Sequence, residues 1–81
     1  MGEKQLDVVR YKYIEFIMTG SKPKTAIWRC QSRRSGDVLG YVHWYGPWRQ
    51  YCFFPAEESV FNDGCLLDIV DFLDKARKAR E

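Results

Sequence analysis

The sequence predicts an α+β fold in which a three- to four-stranded antiparallel sheet, a β-meander, packs on one C-terminal α-helix. Three observations predict it. Between residues 8 and 55, runs of β-branched and aromatic residues alternate with connections that carry Gly and Pro. One run, Trp44-Tyr45-Gly46-Pro47-Trp48-Arg49-Gln50-Tyr51-Cys52-Phe53-Phe54-Pro55, sets six aromatic rings around a Gly-Pro turn signal and reads as a hairpin. Beyond it, between residues 63 and 80, the apolar spacing changes from two to that of a helix. The 81 residues fit one domain, 1–81, with a first strand within 1–20, the meander over 25–54 and the helix over 63–80.

Val8 to Met18 is rich in β-branched and aromatic residues and predicts the first strand. Leu6, Val9, Tyr13, Ile14 and Ile17 also fit helical spacing, and the alternation changes phase near Tyr13-Ile14, where an irregularity is expected. Thr19-Gly20-Ser21-Lys22-Pro23 then serves as a connection. Thr25–Arg33, Val38–Tyr45 and Trp48–Phe54 are the remaining strands.

With Gly46-Pro47 as a two-residue turn, Tyr45 opposes Trp48, His43 opposes Gln50, Val42 opposes Tyr51 and Tyr41 opposes Cys52. A three-residue loop Ser35-Gly36-Asp37, with Gly36 left-handed, pairs Arg29 with His43 and Cys30 with Val42; a two-residue loop would set Gln31 against Val42. Opposed residues share a face. One face collects Ala26, Trp28, Cys30, Val42, Trp44, Tyr51 and Phe53 and is the expected core. The other collects Ile27, Arg29, Gln31, Tyr41, His43, Tyr45, Trp48, Gln50 and Cys52, a mixture of rings and hydrogen-bonding groups.

Pro55 ends the last strand, Ala56-Glu57-Glu58-Ser59 is a loop, and Val60-Phe61 returns to cover a core edge. Asn62 or Asp63 caps the helix, and Lys75, Arg77, Lys78 and Arg80 suit its C-terminal dipole. Leu66, Ile69, Val70, Leu73 and Ala76 make its apolar stripe, widened by Leu67 and Phe72. One helix covers one face of a sheet. The second ring-bearing face then calls for a dimer, a partner or the N-terminal segment.

A net charge of +2 conceals a polarity along the chain: residues 1–21 balance, 22–49 sum to +5 and 50–81 to −3. So small a total excludes a dedicated DNA packager and leaves a modest phosphate-facing patch around Lys22, Lys24, Arg29, Arg33, Arg34 and Arg49. No apolar stretch approaches the ~18 residues of a membrane span. Met1-Gly2-Glu3-Lys4 lacks the apolar core of a signal peptide, so a cytoplasmic setting without membrane attachment is expected. Three cysteines without CxxC spacing suit free thiols in a reducing compartment.

The string from Leu39-Gly40 through W-Y-G-P-W-R-Q-Y-x-F-F-P (residues 44–55) to Phe61-Asn62, Cys65-Leu66 and Asp68-Ile69 resembles a family of short uncharacterised proteins of bacteriophages, prophages and other mobile elements. The resemblance covers about residues 24 to 74 and leaves out the first twenty or so. It implies an accessory role in a mobile element and transfers no catalytic or binding residue.

No enzymatic constellation emerges from the residues, and a non-enzymatic protein without cofactors is expected. Zinc would need Cys30, Cys52, Cys65 and His43 to converge, yet Cys30 falls on the core face and Cys52 with His43 on the other. His43 and Cys52 could form a thiol–imidazole pair, the remaining enzymatic alternative, but no carboxylate is placed to orient His43. Gly36, Gly40 and Gly46 sit in hairpins and form no phosphate loop.

A small binding module is the expected function, through an aromatic and basic sheet face of Arg29, Tyr41, His43, Tyr45, Trp48 and Gln50, with Arg33 and Arg34 at its rim. Its partner is a host or phage protein, for which Trp, Tyr and Arg make suitable anchors. The alternative is nucleic acid, single-stranded or duplex, held by base stacking and phosphate contacts. A homodimer through the surplus face is the third possibility.

Overall fold

The computed structural model describes residues 6–80; the expectation drawn from Met1-Gly2-Glu3-Lys4 lies outside them. Five strands, β1 (Val8–Arg10), β2 (Ile14–Ser21), β3 (Ala26–Ser32), β4 (Val38–Tyr45) and β5 (Gln50–Pro55), form one antiparallel sheet in the order β1-β2-β3-β4-β5. The helix α1, Asp63–Arg80, follows. The architecture is α+β as expected, with five strands where three to four were expected.

The fifth strand comes from the N-terminal run. The phase change near Tyr13-Ile14 is a hairpin turn, in which Tyr11 N–H donates to the Ile14 carbonyl at 2.8 Å and Val9 pairs with Phe16 across it. A further correction concerns Thr19-Gly20-Ser21, which continues β2 through a bulge between Met18 and Gly20 instead of forming a connection.

Both later hairpins differ from expectation in register by two residues. In the β4–β5 hairpin the pairs are Tyr45 with Gln50, His43 with Cys52, Val42 with Phe53 and Tyr41 with Phe54. Gly46–Trp48 forms a 3₁₀ turn with Pro47 at its start and Arg49 left-handed at φ 53°. The type I′ two-residue turn needs positive φ at both central residues, which the Pro47 ring, held at about −65°, forbids, and the chain takes a longer turn. In the β3–β4 hairpin, Trp28 pairs with Val42, Arg29 with Tyr41 and Cys30 with Gly40, and a bulge follows Cys30. Gly36 is left-handed as expected, at φ 80°, inside the longer connection 33–37.

A two-residue slip leaves every side chain on its original face, because the pleat has period two. The core face therefore stands: Trp28, Cys30, Val42 and Tyr51 are buried, with Ile14 and Phe16 of β2 added. Ala26, Trp44 and Phe53 pack against them.

Asn62 caps α1, its Oδ1 accepting from Cys65 N–H at 2.8 Å. The helix buries Ile69, Phe72 and Ala76. Phe72 stacks parallel on Phe16 at 4.1 Å and meets the Trp28 ring edge-on at 5.1 Å. The apolar stripe is only partly used, since Leu66, Leu67 and Val70 are 50%, 68% and 62% exposed. Phe61 returns to the core against the edge of Phe53 at 5.4 Å, while Val60 points to solvent.

Candidate functional site

Alternation along the strands directs Ile17, Arg29, Tyr41, His43, Tyr45, Cys52 and Phe54 to the sheet face that α1 does not cover. The ladder pairs align Val8, Ile17, Arg29, Tyr41 and Phe54 into one row across all five strands. Beside it, His43 stacks flat on Phe54 at 3.8 Å, and Tyr45 approaches Phe54 edge-on at 6.0 Å. Trp48 has left the strand for the 3₁₀ turn, but its ring still meets Tyr45 edge-on at 5.1 Å and is 66% exposed. The result is an aromatic cluster over the β4–β5 half of the face, with Gln50 exposed at its end.

The polar groups of this face form a chain. Arg10 Nε pairs with Glu15 Oε1 at 3.2 Å, Glu15 Oε2 accepts from Gln31 Nε2 at 2.8 Å, and Gln31 Oε1 accepts from Arg29 Nε at 3.0 Å. Arg29 is thereby held in the plane of the row, opposite Tyr41. Arg33 is a tether: its Nη1 donates to the Tyr11 carbonyl at 2.8 Å and its N–H to the Tyr13 carbonyl, tying two loops together. Arg34 is exposed in the same loop.

The expected site residues thus fall into two groups. Arg29, Tyr41, His43, Tyr45, Trp48 and Gln50 share one surface. Arg33 and Arg34 lie at the far end of β4 from Trp48, ~23 Å away for eight residues of strand, and do not rim the same cluster. Phe54, Ile17 and Glu15 belong to the face and were missed. Phe54 was legible, because it lies two residues beyond Cys52 on one strand; Ile17 and Glu15 were hidden by the uncertain phase of the first run.

Another concavity lies on the helix side, an open cavity of about 500 Å³ over Trp28 and Tyr51, flanked by Lys22, Lys24 and Arg80. Arg80 itself covers the Trp44 ring at 4.1 Å. At the opposite end, Tyr11 O–H donates to Asp71 Oδ2 at 2.7 Å. Lys75, at 2.5 Å, and that phenol hold the Asp71 carboxyl below the usual range. Burial and the nearby carboxylate push the Tyr11 phenol well above its ordinary value.

The thiol chemistry is constrained by the same packing. Cys30 is fully buried, and burial pushes its thiol up to about 12. His43 directly opposes Cys52, yet its ring lies flat on Phe54 with Nδ1 3.3 Å from the Trp44 carbonyl, and among the described residues no hydrogen bond joins the two. Among the described residues no group of three His, Cys, Asp or Glu side chains is placed to hold a metal ion, and no helix is long and apolar enough to cross a membrane.

The chain is similar to an uncharacterized 9.3 kDa protein of Acholeplasma phage L2, 26% identical over 77 residues that cover 94% of this chain and 99% of the phage protein. No known family profile matches the chain. No solved structure matches it either.

Proposed function

We propose that this protein is a non-enzymatic accessory module of a phage or mobile element that docks a host or phage protein through the uncovered face of its sheet. The carrying observation is the row Val8–Ile17–Arg29–Tyr41–Phe54 with the cluster of His43, Tyr45 and Trp48 beside it. Rigid rings on a sheet lose little side-chain entropy on binding, and an arginine already oriented by Gln31 is pre-organised to meet a carboxylate or a carbonyl. The near-complete span of the similar phage protein supports the mobile-element setting.

Affinity capture from host extract, repeated with Tyr41→Ala and Trp48→Ala, tests the proposal. One stoichiometric protein should be recovered, and each substitution should weaken its binding by about 2 kcal/mol if the residue is an anchor. Capture that neither substitution weakens refutes it.

Nucleic acid is the second reading, favoured by Lys22, Lys24 and Arg80 around one cavity. It predicts oligonucleotide binding that falls steeply with salt and weakens in Lys22→Ala and Lys24→Ala. Absence of binding at low salt removes it.

A further inference from the structure

The free edge of β5 and the adjoining flank of α1 are unused by the fold as described. Ala56 N–H donates to the Leu39 carbonyl at 2.9 Å, which sets the phase of the β4–β5 ladder. Tyr41 with Phe54, His43 with Cys52 and Tyr45 with Gln50 are then the hydrogen-bonded pairs. Tyr51 and Phe53 consequently direct their N–H and C=O groups away from β4. Among the described residues neither N–H has another partner.

The two sheet edges are guarded differently. β1 is three residues long, carries Arg10 and is flanked by Asp7 and Lys12, devices that discourage strand addition. β5 has six residues, none charged, and only its terminal Pro55 lacks a donor.

The helix supplies a second, independent observation. Asp71 and Lys75 face Tyr11 on the β1 side. At 100° per residue, Leu66, Val70, Leu73 and Arg77 face the opposite way, toward β5, the strand to which the helix backbone runs closest. Leu66 and Val70 are exposed there although they continue the apolar stripe. The stripe is wider than one sheet covers, and the surplus lies on the β5 side.

From these observations we infer that the β5 edge is a self-association surface, and that its occupant is β5 of a second copy of this chain, paired antiparallel about a two-fold axis. Centred on Cys52, the pairing satisfies Tyr51 and Phe53 of each chain with the carbonyls of Phe53 and Tyr51 of the other and leaves Pro55 outside the ladder. The two sheets become one. A six-residue strand pair alone falls short of the ~800 Å² per partner of a stable interface, and Leu66 and Val70 of the two helices, brought side by side, supply further apolar area. The helices run antiparallel there, so on the β5-side flank Asp63 at one helix end lies toward the partner's Arg77 at the other, which gives charge complementarity. The uncovered faces of both sheets stay free for docking.

Sedimentation of the full chain from micromolar to millimolar concentration tests the pairing. A monomer–dimer equilibrium is expected, with Leu66→Glu and Val70→Glu each raising the dissociation constant by at least about tenfold, since each substitution acts twice across a two-fold and both residues are exposed in the monomer. Circular dichroism verifies that each variant is folded. Cys52 faces its own copy at a non-hydrogen-bonded position, so a short bis-maleimide should link two chains through Cys52 and fail to do so in Cys52→Ser. A monomer at all concentrations, a dimer insensitive to both substitutions, or cross-linking that survives Cys52→Ser overturns the inference.

Discussion

Gly40→Ala tests the observed register by the sign of its effect. Gly40 is buried at the centre of the sheet, opposite Cys30 and Pro55, with no positive φ that would demand glycine. On an unobstructed strand, replacing glycine with alanine gains about 0.5–1 kcal/mol through reduced backbone entropy. Here the added Cβ would lie 2.6 Å from Phe53 Cζ and 2.6 Å from the Phe54 carbonyl oxygen. The Phe53 ring can swing, but the Phe54 carbonyl is backbone within the β4–β5 ladder, so the strands themselves must part. Such overpacking costs about 1–3 kcal/mol. With a urea m-value of about 1 kcal/mol/M, the unfolding midpoint, followed by tryptophan fluorescence, should fall by about 1–3 M. Phe53→Leu in the same chain should recover only part of the loss, because the carbonyl contact remains. A midpoint that rises would refute the observed register around Gly40.

Other outcomes follow from the same packing. Phe72→Ala removes a fully buried ring between Phe16 and Trp28 and should cost about 3–5 kcal/mol, whereas Leu67→Ala, on the solvent side of the same helix, should stay within about 0.5 kcal/mol by the same urea assay. Asn62→Ala should cost about 1 kcal/mol through loss of the bond to Cys65 N–H, read as reduced stability with the fold intact. Mass-spectrometric thiol labelling of the native protein should modify Cys52 and Cys65 well before Cys30. The raised Cys30 value also sets a sign: its contribution to stability is full below the unfolded thiol's value near 9 and is lost as pH rises toward about 12, because the unfolded chain releases the proton first. Cys30→Ala should flatten that alkaline decline.

Much of the fold and part of the site were legible in the residues alone. Alternation assigned Trp28, Cys30, Val42 and Tyr51 to one face and Arg29, Tyr41, His43 and Tyr45 to the other, and both assignments survived two register errors. They survived because each slip was of two residues, the period of the pleat. Helix existence and its cap were equally local matters, set by apolar spacing and by the reach of the Asn62 side chain to a free N–H.

What the sequence could not supply was set by contacts distant along the chain. The turn that divides the Val8–Met18 run is braced from a distance by Arg33, whose side chain reaches the Tyr11 carbonyl, a contact between residues 22 apart. Arg33 is a tether for the same reason, while in sequence it is indistinguishable from its neighbour Arg34. The helix stripe held more apolar residues than one sheet face covers, and the stack of Phe72 on Phe16 selected which of them turn inward. The sequence by itself determined elements, faces and charge, since these repeat every two or about four residues. Only the tertiary structure decided which apolar surface stays open and which arginine fastens the first turn, because each depends on packing partners that lie far apart in the chain.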